Sequence, residues 1–222
     1  MMLGEPKPEI SAVTENYLQA IYKLGERKEA VSPTRLAEVM DVSVATAVGT
    51  VKRLTRQDMV EVASNKEISL TTKGRDVAES VVRRHRLAER MLMEMLGLEW
   101  PKLHREAHRL EHAISPDVES KLVEALGYPE TNPYGLPIPG YCKSPRKMKI
   151  LADGAPGESV EVSQVPEEDI QLLTFFHEIN VKPGAKVLLK ESAPFKGTVT
   201  IEVEGEEVVL GLEVARKILV AA

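Results

Sequence analysis

Between His104 and His112 the chain reads HREAHRLEH, and three of its five histidines fall in those nine residues, four apart. On a helix turning roughly 100° per residue, with His104 at zero, His108 stands near 40°, Glu111 near −20° and His112 near 80°. Four side chains then share one stripe. Upstream, HRLAE places His85 and Glu89 four apart, again on one helix face. Imidazole nitrogens and carboxylate oxygens are the donors that Mn²⁺, Fe²⁺, Co²⁺, Ni²⁺ and Zn²⁺ accept. One such pair alone reads as an ordinary i,i+4 side-chain pair. Two pairs together, with a third histidine and Glu111, point to a cation. The pattern is not the HExxH of a zinc protease, because no glutamate follows the first histidine of a pair. There is one cysteine, Cys142, so a paired-cysteine zinc site is excluded. No phosphate loop, nucleophile elbow or Ser-His-Asp set is present, and no catalytic residue is assigned. A metal-dependent hydrolase on the histidine cluster is the rival from another class.

These residues need helices to hold them, and the first 125 residues supply helical patterns. Tyr17, Leu18, Ile21, Tyr22 and Leu24 form an apolar stripe ending near Gly25. Ser32 before Pro33, and then Ser43, read as N-caps of two short helices across a very short connection. Val60 and Val62, then Ile68 and Leu70, flank SNKE as a hairpin. A long helix resumes near Arg75 and runs through RRHRLAERMLMEML. Two more helices follow, broken near Gly97 and Ser115–Pro116. From Gly127 the composition shifts to a Pro/Gly-rich stretch with five prolines, GYPETNPYGLPIPGYCKSPRK. Beyond it lie strand-forming runs, GESVEVSQV, AKVLLKES, GTVTIEVEG and EEVVLGLEVARKILVA, with a short helix, EEDIQLLTFFHEI, after the first. Short strands with Gly and Pro turns suggest a small β-barrel. The expected division is 1–75, 76–127, 128–148 as linker, and 149–222.

Helix, short turn, helix and hairpin is the order of a winged helix-turn-helix, whose second helix enters the major groove. Ala45, Thr46 and Ala47 are small enough for close approach to bases, with Thr50 and Arg53 further along the same side. Residues 42–75 hold six Lys/Arg (Lys52, Arg53, Arg56, Lys66, Lys73, Arg75) against three Asp/Glu (Asp58, Glu61, Glu67), a local charge of +3 within a chain of −5. Counterion release favours such a patch on duplex DNA. A metal-independent DNA-binding regulator with structural histidines is the second rival. The 222 residues suffice for more than one small domain. A lone cysteine fits a reducing compartment. No apolar run approaches a membrane span, and no signal pattern opens the sequence, so a cytoplasmic protein away from membranes is expected.

Five segments together resemble the diphtheria-toxin-repressor/manganese-transport-regulator family of metal-dependent transcriptional repressors: TENYLQAIYKL at 14–24, LAEVMDVSVATAVGTVKRL at 36–54, RRHRLAERML at 83–92, HREAHRLEHAIS at 104–115 and NPYGLPIPG at 132–140. The resemblance spans nearly the whole chain. It implies a mainly α chain with small β content: a winged helix-turn-helix, a helical dimerisation domain and a C-terminal SH3-like (FeoA-like) β-barrel. It also implies a homodimer on a double-stranded operator and two metal sites. The main site would take Asn16, His108, Glu111 and His112. The second would take His85, Glu89 and His104, completed by Gln164 and Glu167. The DNA-binding set would be Thr34, Ser43, Ala45, Thr46, Gly49, Thr50, Arg53, Arg56 and Lys66. Dimerisation falls within residues 86–126, where Leu87, Met91, Met93, Met95, Leu96 and Leu110 supply apolar area, for a dimer face or equally for an intrachain core.

Iron-type relatives carry Met and Cys where this chain has Asn16 and His108; manganese-type relatives carry Asp and Glu. Loss of both sulfur ligands hardens the main site and favours Mn²⁺. His108 pulls towards Fe²⁺, the alternative cofactor, with Co²⁺, Ni²⁺, Zn²⁺ and Cd²⁺ as ions accepted in vitro. Iron-type relatives also have Pro and Gln where Ala45 and Gly49 stand here, so a different operator sequence is expected.

Overall fold

The computed structural model describes residues 10–143, 147–193, 195 and 197–221; residues 1–9, where no signal pattern is expected, and residues 144–146 of the expected linker lie outside these. The chain divides into two compact units, residues 1–83 and 84–222.

In the first unit, α1 (Ala12–Glu26), α2 (Pro33–Val39) and α3 (Val44–Arg56) precede a hairpin of β1 (Val60–Val62) and β2 (Ile68–Leu70). Each helix starts where a serine hydroxyl accepts an orphan amide: Ser11 from Thr14, Ser32 from Arg35, Ser43 from Thr46. Pro33 sits in the first turn of α2, where its missing N–H costs nothing. On α3, Ala47, Val51 and Leu54 recur at helical spacing and are buried. They join Tyr17, Leu18, Ile21, Leu24 and Leu36 in one core with Val60 and Ile68 of the hairpin. β1 and β2 pair antiparallel, Val60 opposite Leu70. α1 continues one residue past Gly25 before ending at Glu26.

The long helix α4 (Thr72–Glu94) begins two residues after β2 and carries the chain from the first unit into the second. The second unit continues with a 3-10 turn (Trp100–Lys102), α5 (Leu103–Leu110) and α6 (Pro116–Ala125). After the linker come β3 (Met148–Ile150), β4 (Ser159–Gln164), α7 (Ile170–Glu178), β5 (Lys186–Ala193), β6 (Thr198–Val203), β7 (Glu206–Gly211), α8 (Leu212–Ala215) and β8 (Leu219–Ala221). The strands form one six-stranded sheet in the order β3-β8-β4-β5-β6-β7. Alternation on β6 turns Val199, Ile201 and Val203 inward.

Three sequence expectations change here. HREAHRLEH is not one helix: α5 ends at Leu110 and Glu111 is its C-cap residue. The run EEVVLGLEVARKILVA is split, because Gly211 ends β7 and α8 turns the chain before β8. Leu87 is wholly inside the intrachain core and offers no dimer surface, whereas Met95 and Leu96 are exposed.

Two glycines carry opposite predictions. Gly49 stands in mid-α3 with open space where a Cβ would lie. Gly49→Ala is expected to stabilise the first unit by about 0.5–1 kcal/mol in denaturant melts, through helix propensity alone. Gly135 has φ +86, and a Cβ there would sit 1.9 Å from the Ser163 carbonyl oxygen. Gly135→Ala is expected to destabilise the second unit by roughly 2 kcal/mol or more.

Candidate metal centre and DNA-reading face

α4 presents His85 and Glu89 one turn apart, and both are fully buried. α5 brings His104 to them. His85 Nε2 lies 2.9 Å from Glu89 Oε1 and 2.9 Å from His104 Nδ1, and His104 Nδ1 lies 3.1 Å from Glu89 Oε1. The three donor atoms make a near-equilateral triangle. Adjacent donors around an octahedral ion bound at about 2.1 Å sit roughly 3.0 Å apart. Glu167, itself buried, comes from the turn between β4 and α7 as a fourth donor beside the half-buried His104, all within 4.8 Å of one another. Gln164 ends β4 opposite Leu219, after a break in register that follows Val162.

Two buried carboxylates, Glu89 and Glu167, thus share one small volume. Burial pushes the Glu89 carboxyl up, and Glu167 adds to that, but His85 and His104 outweigh them and hold it below the usual carboxylate range. A buried anionic cluster with imidazole donors fits a hard or borderline divalent cation.

On its other side His85 reaches Glu111: Nδ1 lies 2.5 Å from Glu111 Oε2. The second Glu111 oxygen, Oε1, lies 2.9 Å from His108 Nδ1 and 3.3 Å from His112 Nε2. Burial raises the Glu111 carboxyl, yet its contacts with His108 and His85 depress it well below the usual range. His108, on the exposed side of α5, and His112, past its end, converge on that one carboxylate oxygen. The second unit therefore contains two donor groups, one around Glu89 and one around Glu111, with His85 facing both. An imidazole that gives one nitrogen to a cation commonly donates its other N–H to a carboxylate, and His85 has that geometry towards Glu111. Asn16 lies on α1, half-buried, in the first unit.

Sequence reasoning missed the residues that hold this cluster in place. Asn132 Nδ2 donates to Glu89 Oε2 at 2.6 Å and to Glu167 Oε2 at 3.1 Å. Arg86 donates to the Pro137 carbonyl at 2.5 Å and Arg90 to the Thr131 carbonyl at 2.7 Å. The only sequence signal was NPYG, which marks a turn but not what the asparagine amide touches.

On the first unit, Thr34, Ser43, Ala45, Thr46, Gly49, Arg53, Arg56 and Lys66 are exposed and Thr50 is half-buried. The Ser43 and Thr46 hydroxyls are 2.8 Å apart, so each already has a partner at the start of α3. Lys66 takes φ 66 at the hairpin turn.

A winged helix-turn-helix, followed on its next helix by a buried histidine–carboxylate cluster, defines a metal-dependent DNA-binding regulator. Residues 9–68 match the iron dependent repressor N-terminal DNA binding domain, residues 71–140 the iron dependent repressor metal binding and dimerisation domain, and residues 150–222 the FeoA domain. The chain is 40% identical to the iron-dependent repressor IdeR of Mycobacterium leprae, over 87% of this chain and 90% of that one. It is 33% identical to the diphtheria toxin repressor of Corynebacterium diphtheriae, over 89% and 91%. A solved manganese-dependent transcriptional repressor in complex with manganese superposes with TM-score 0.87 at 31% identity, covering 94% of this chain and 99% of that one. The chain belongs to this family of metal-dependent transcriptional repressors. Its members are DNA-binding repressors rather than enzymes, and no helix among the described residues is long and apolar enough to cross a membrane.

The depressed carboxyls set a pH dependence. Glu89 and Glu111 ionise more readily folded than unfolded. Their contribution to stability is present above the unfolded carboxylate range, near pH 4.3, and is lost as pH falls through the lower folded values. Chelator-treated protein is expected to lose stability steadily in denaturant melts from about pH 5 downward, and Glu111→Gln to flatten that loss.

Proposed function

We propose that this chain is a metal-activated repressor of metal-ion homeostasis that binds a double-stranded operator as a homodimer and answers to Mn²⁺. The observation that carries this is the triangle of His85, Glu89 and His104 donors on and beside α4, the helix that leaves the wing. The second site takes those three with Glu167, and Gln164 is assigned to it by the resemblance alone. The main site takes His108, Glu111 and His112, and Asn16 is added likewise by the resemblance alone. A bound divalent cation supplies the positive charge that such buried carboxylates lack. His85 and His104 must be neutral to donate a lone pair, so activation weakens at acidic pH.

The protein's own residues do the reading. Ala45, Thr46, Gly49 and Thr50 lie along the face of α3 that approaches bases, with Thr34 and Ser43 beside it, and Arg53, Arg56 and Lys66 take phosphates. Exposed Met95 and Leu96, with partly buried Met91, Met93 and Leu110, supply dimer contact. Domains at 1–75, 76–127 and 149–222, with a linker at 128–148, divide the labour. Metal binding and operator binding are linked, each raising the affinity of the other by the same factor.

Fe²⁺ is the alternative, favoured by the 40% identity to an iron-dependent repressor. The donor set argues for Mn²⁺, because Asn16 and His108 bring nitrogen and oxygen where sulfur would favour softer ions. Zn²⁺, Co²⁺, Ni²⁺ and Cd²⁺ are expected to bind in vitro.

Operator affinity, measured on DNA from upstream of the protein's own gene, is expected to rise at least about tenfold with Mn²⁺ and to do so at lower free concentration than with Fe²⁺ under anaerobic conditions. Equal affinity with and without metal would sink the reading. Arg53→Ala or Arg56→Ala is expected to weaken binding to all sequences alike and to reduce the salt slope by roughly one each. A changed base preference with an unchanged slope would remove that residue from the phosphate contacts.

A further inference from the structure

The turn at residues 131–137 is tied to both halves of the second unit. From α4, Arg90 donates to the Thr131 carbonyl and Arg86 to that of Pro137. Trp100 donates its indole N–H to the Pro133 carbonyl at 3.3 Å and receives the Tyr134 hydroxyl on its own carbonyl at 2.8 Å. From the sheet side, the Val165 amide donates to the Tyr134 carbonyl at 3.0 Å, two residues before Glu167. At the centre of this turn Asn132 is 1% exposed. Its Oδ1 accepts the Tyr134 and Leu136 amides at 3.1 and 2.8 Å, which orients the side chain and leaves Nδ2 as donor only. Nδ2 spends its two protons on Glu89 and Glu167.

We propose that Asn132 is a positioning residue for the second cation site: its amide pairs the Glu89 and Glu167 carboxylates, one from α4 and one from beyond β4, and so places donors from the helical and barrel parts side by side. The division of oxygens supports this. Asn132 takes Glu89 Oε2, and Glu89 Oε1 is left facing His85 and His104. A neutral amide suits the task. A lysine or arginine in its place would neutralise the carboxylates and compete with a cation. An aspartate would add a third negative charge and no donor. Two carboxylates held apart in water would have to be brought together when the cation arrives, whereas here the amide has already aligned them, and that alignment raises cation affinity.

The inference rests on the second site being a cation site, and the test separates the two. Mn²⁺ is titrated by calorimetry into wild-type, Asn132→Ala and Asn132→Asp proteins. Thermal melts are run in chelator and in Mn²⁺, and the visible absorption of Co²⁺ reports the coordination at each site. Wild type is expected to bind two ions per protomer; no ion at the site of His85, Glu89 and His104 would overturn the second-site reading and this inference with it. With two bound, Asn132→Ala is expected to lower second-site affinity by about 10–100-fold while the site at His108, Glu111 and His112 is unchanged. Asn132→Asp keeps the oxygen that accepts the Tyr134 and Leu136 amides, so the turn persists. It is expected to melt lower than wild type in chelator, to gain more from Mn²⁺ than wild type does, and to alter the second-site Co²⁺ spectrum. If Asn132 served only to shape the turn, Asn132→Asp would show the wild-type Mn²⁺ increment and spectrum. That result, or an unchanged second-site affinity in Asn132→Ala, would overturn the proposal while leaving the cation site standing.

Discussion

The His85 imidazole is the hinge of the second unit's chemistry. It is fully buried and has a carboxylate on each nitrogen, Glu111 at 2.5 Å on Nδ1 and Glu89 at 2.9 Å on Nε2. Charged or strongly polar groups leave water only when their partners are in place. Everything around His85 therefore has to be positioned: α4 by its buried Leu87, Ala88 and Leu92, α5 by Leu103 and Ala107, and Glu167 by the turn that follows β4. One ring plane faces both donor groups, so the orientation that serves one also constrains the other.

The same constraint divides the donors of α5. His104 and Glu111 share one side of the helix but stand two turns, about 10 Å, apart along it, too far for one ion. Glu111 keeps helical dihedrals as the C-cap residue and its amide still bonds Ala107, so its side chain stays on the stripe that faces His85, while His108 and His112 converge on its other oxygen. Apolar packing places the helices, and the two-turn rise from His104 to Glu111 then divides one histidine-rich stretch between two sets of donors.

The reading head obeys simpler rules. α3 needs one apolar face, and Ala47, Val51 and Leu54 provide it. Its other face is free of packing demands, which is why a mid-helix glycine with open space around it is tolerated at Gly49.

Much of this was readable along the chain. Serine caps before apolar periods set the starts of α2 and α3, because capping is a contact between residues three apart. Period-two apolar runs set the hairpin and most strands for the same local reason. The types and spacing of His85, Glu89, His104, His108, Glu111 and His112 announced cation chemistry, since four-residue spacing alone puts donors on one face. What only the tertiary structure decided is which donors meet. Helical phase put His104, His108 and Glu111 on one stripe, but the packing of that stripe along α4 gave His104 to Glu89 and left His108 with Glu111. Asn132 was invisible as anything but a turn residue, because its amide meets carboxylates 43 and 35 positions away in sequence. Local pattern records what a residue can donate or accept. Burial, by forbidding unpaired polar groups, determines with whom.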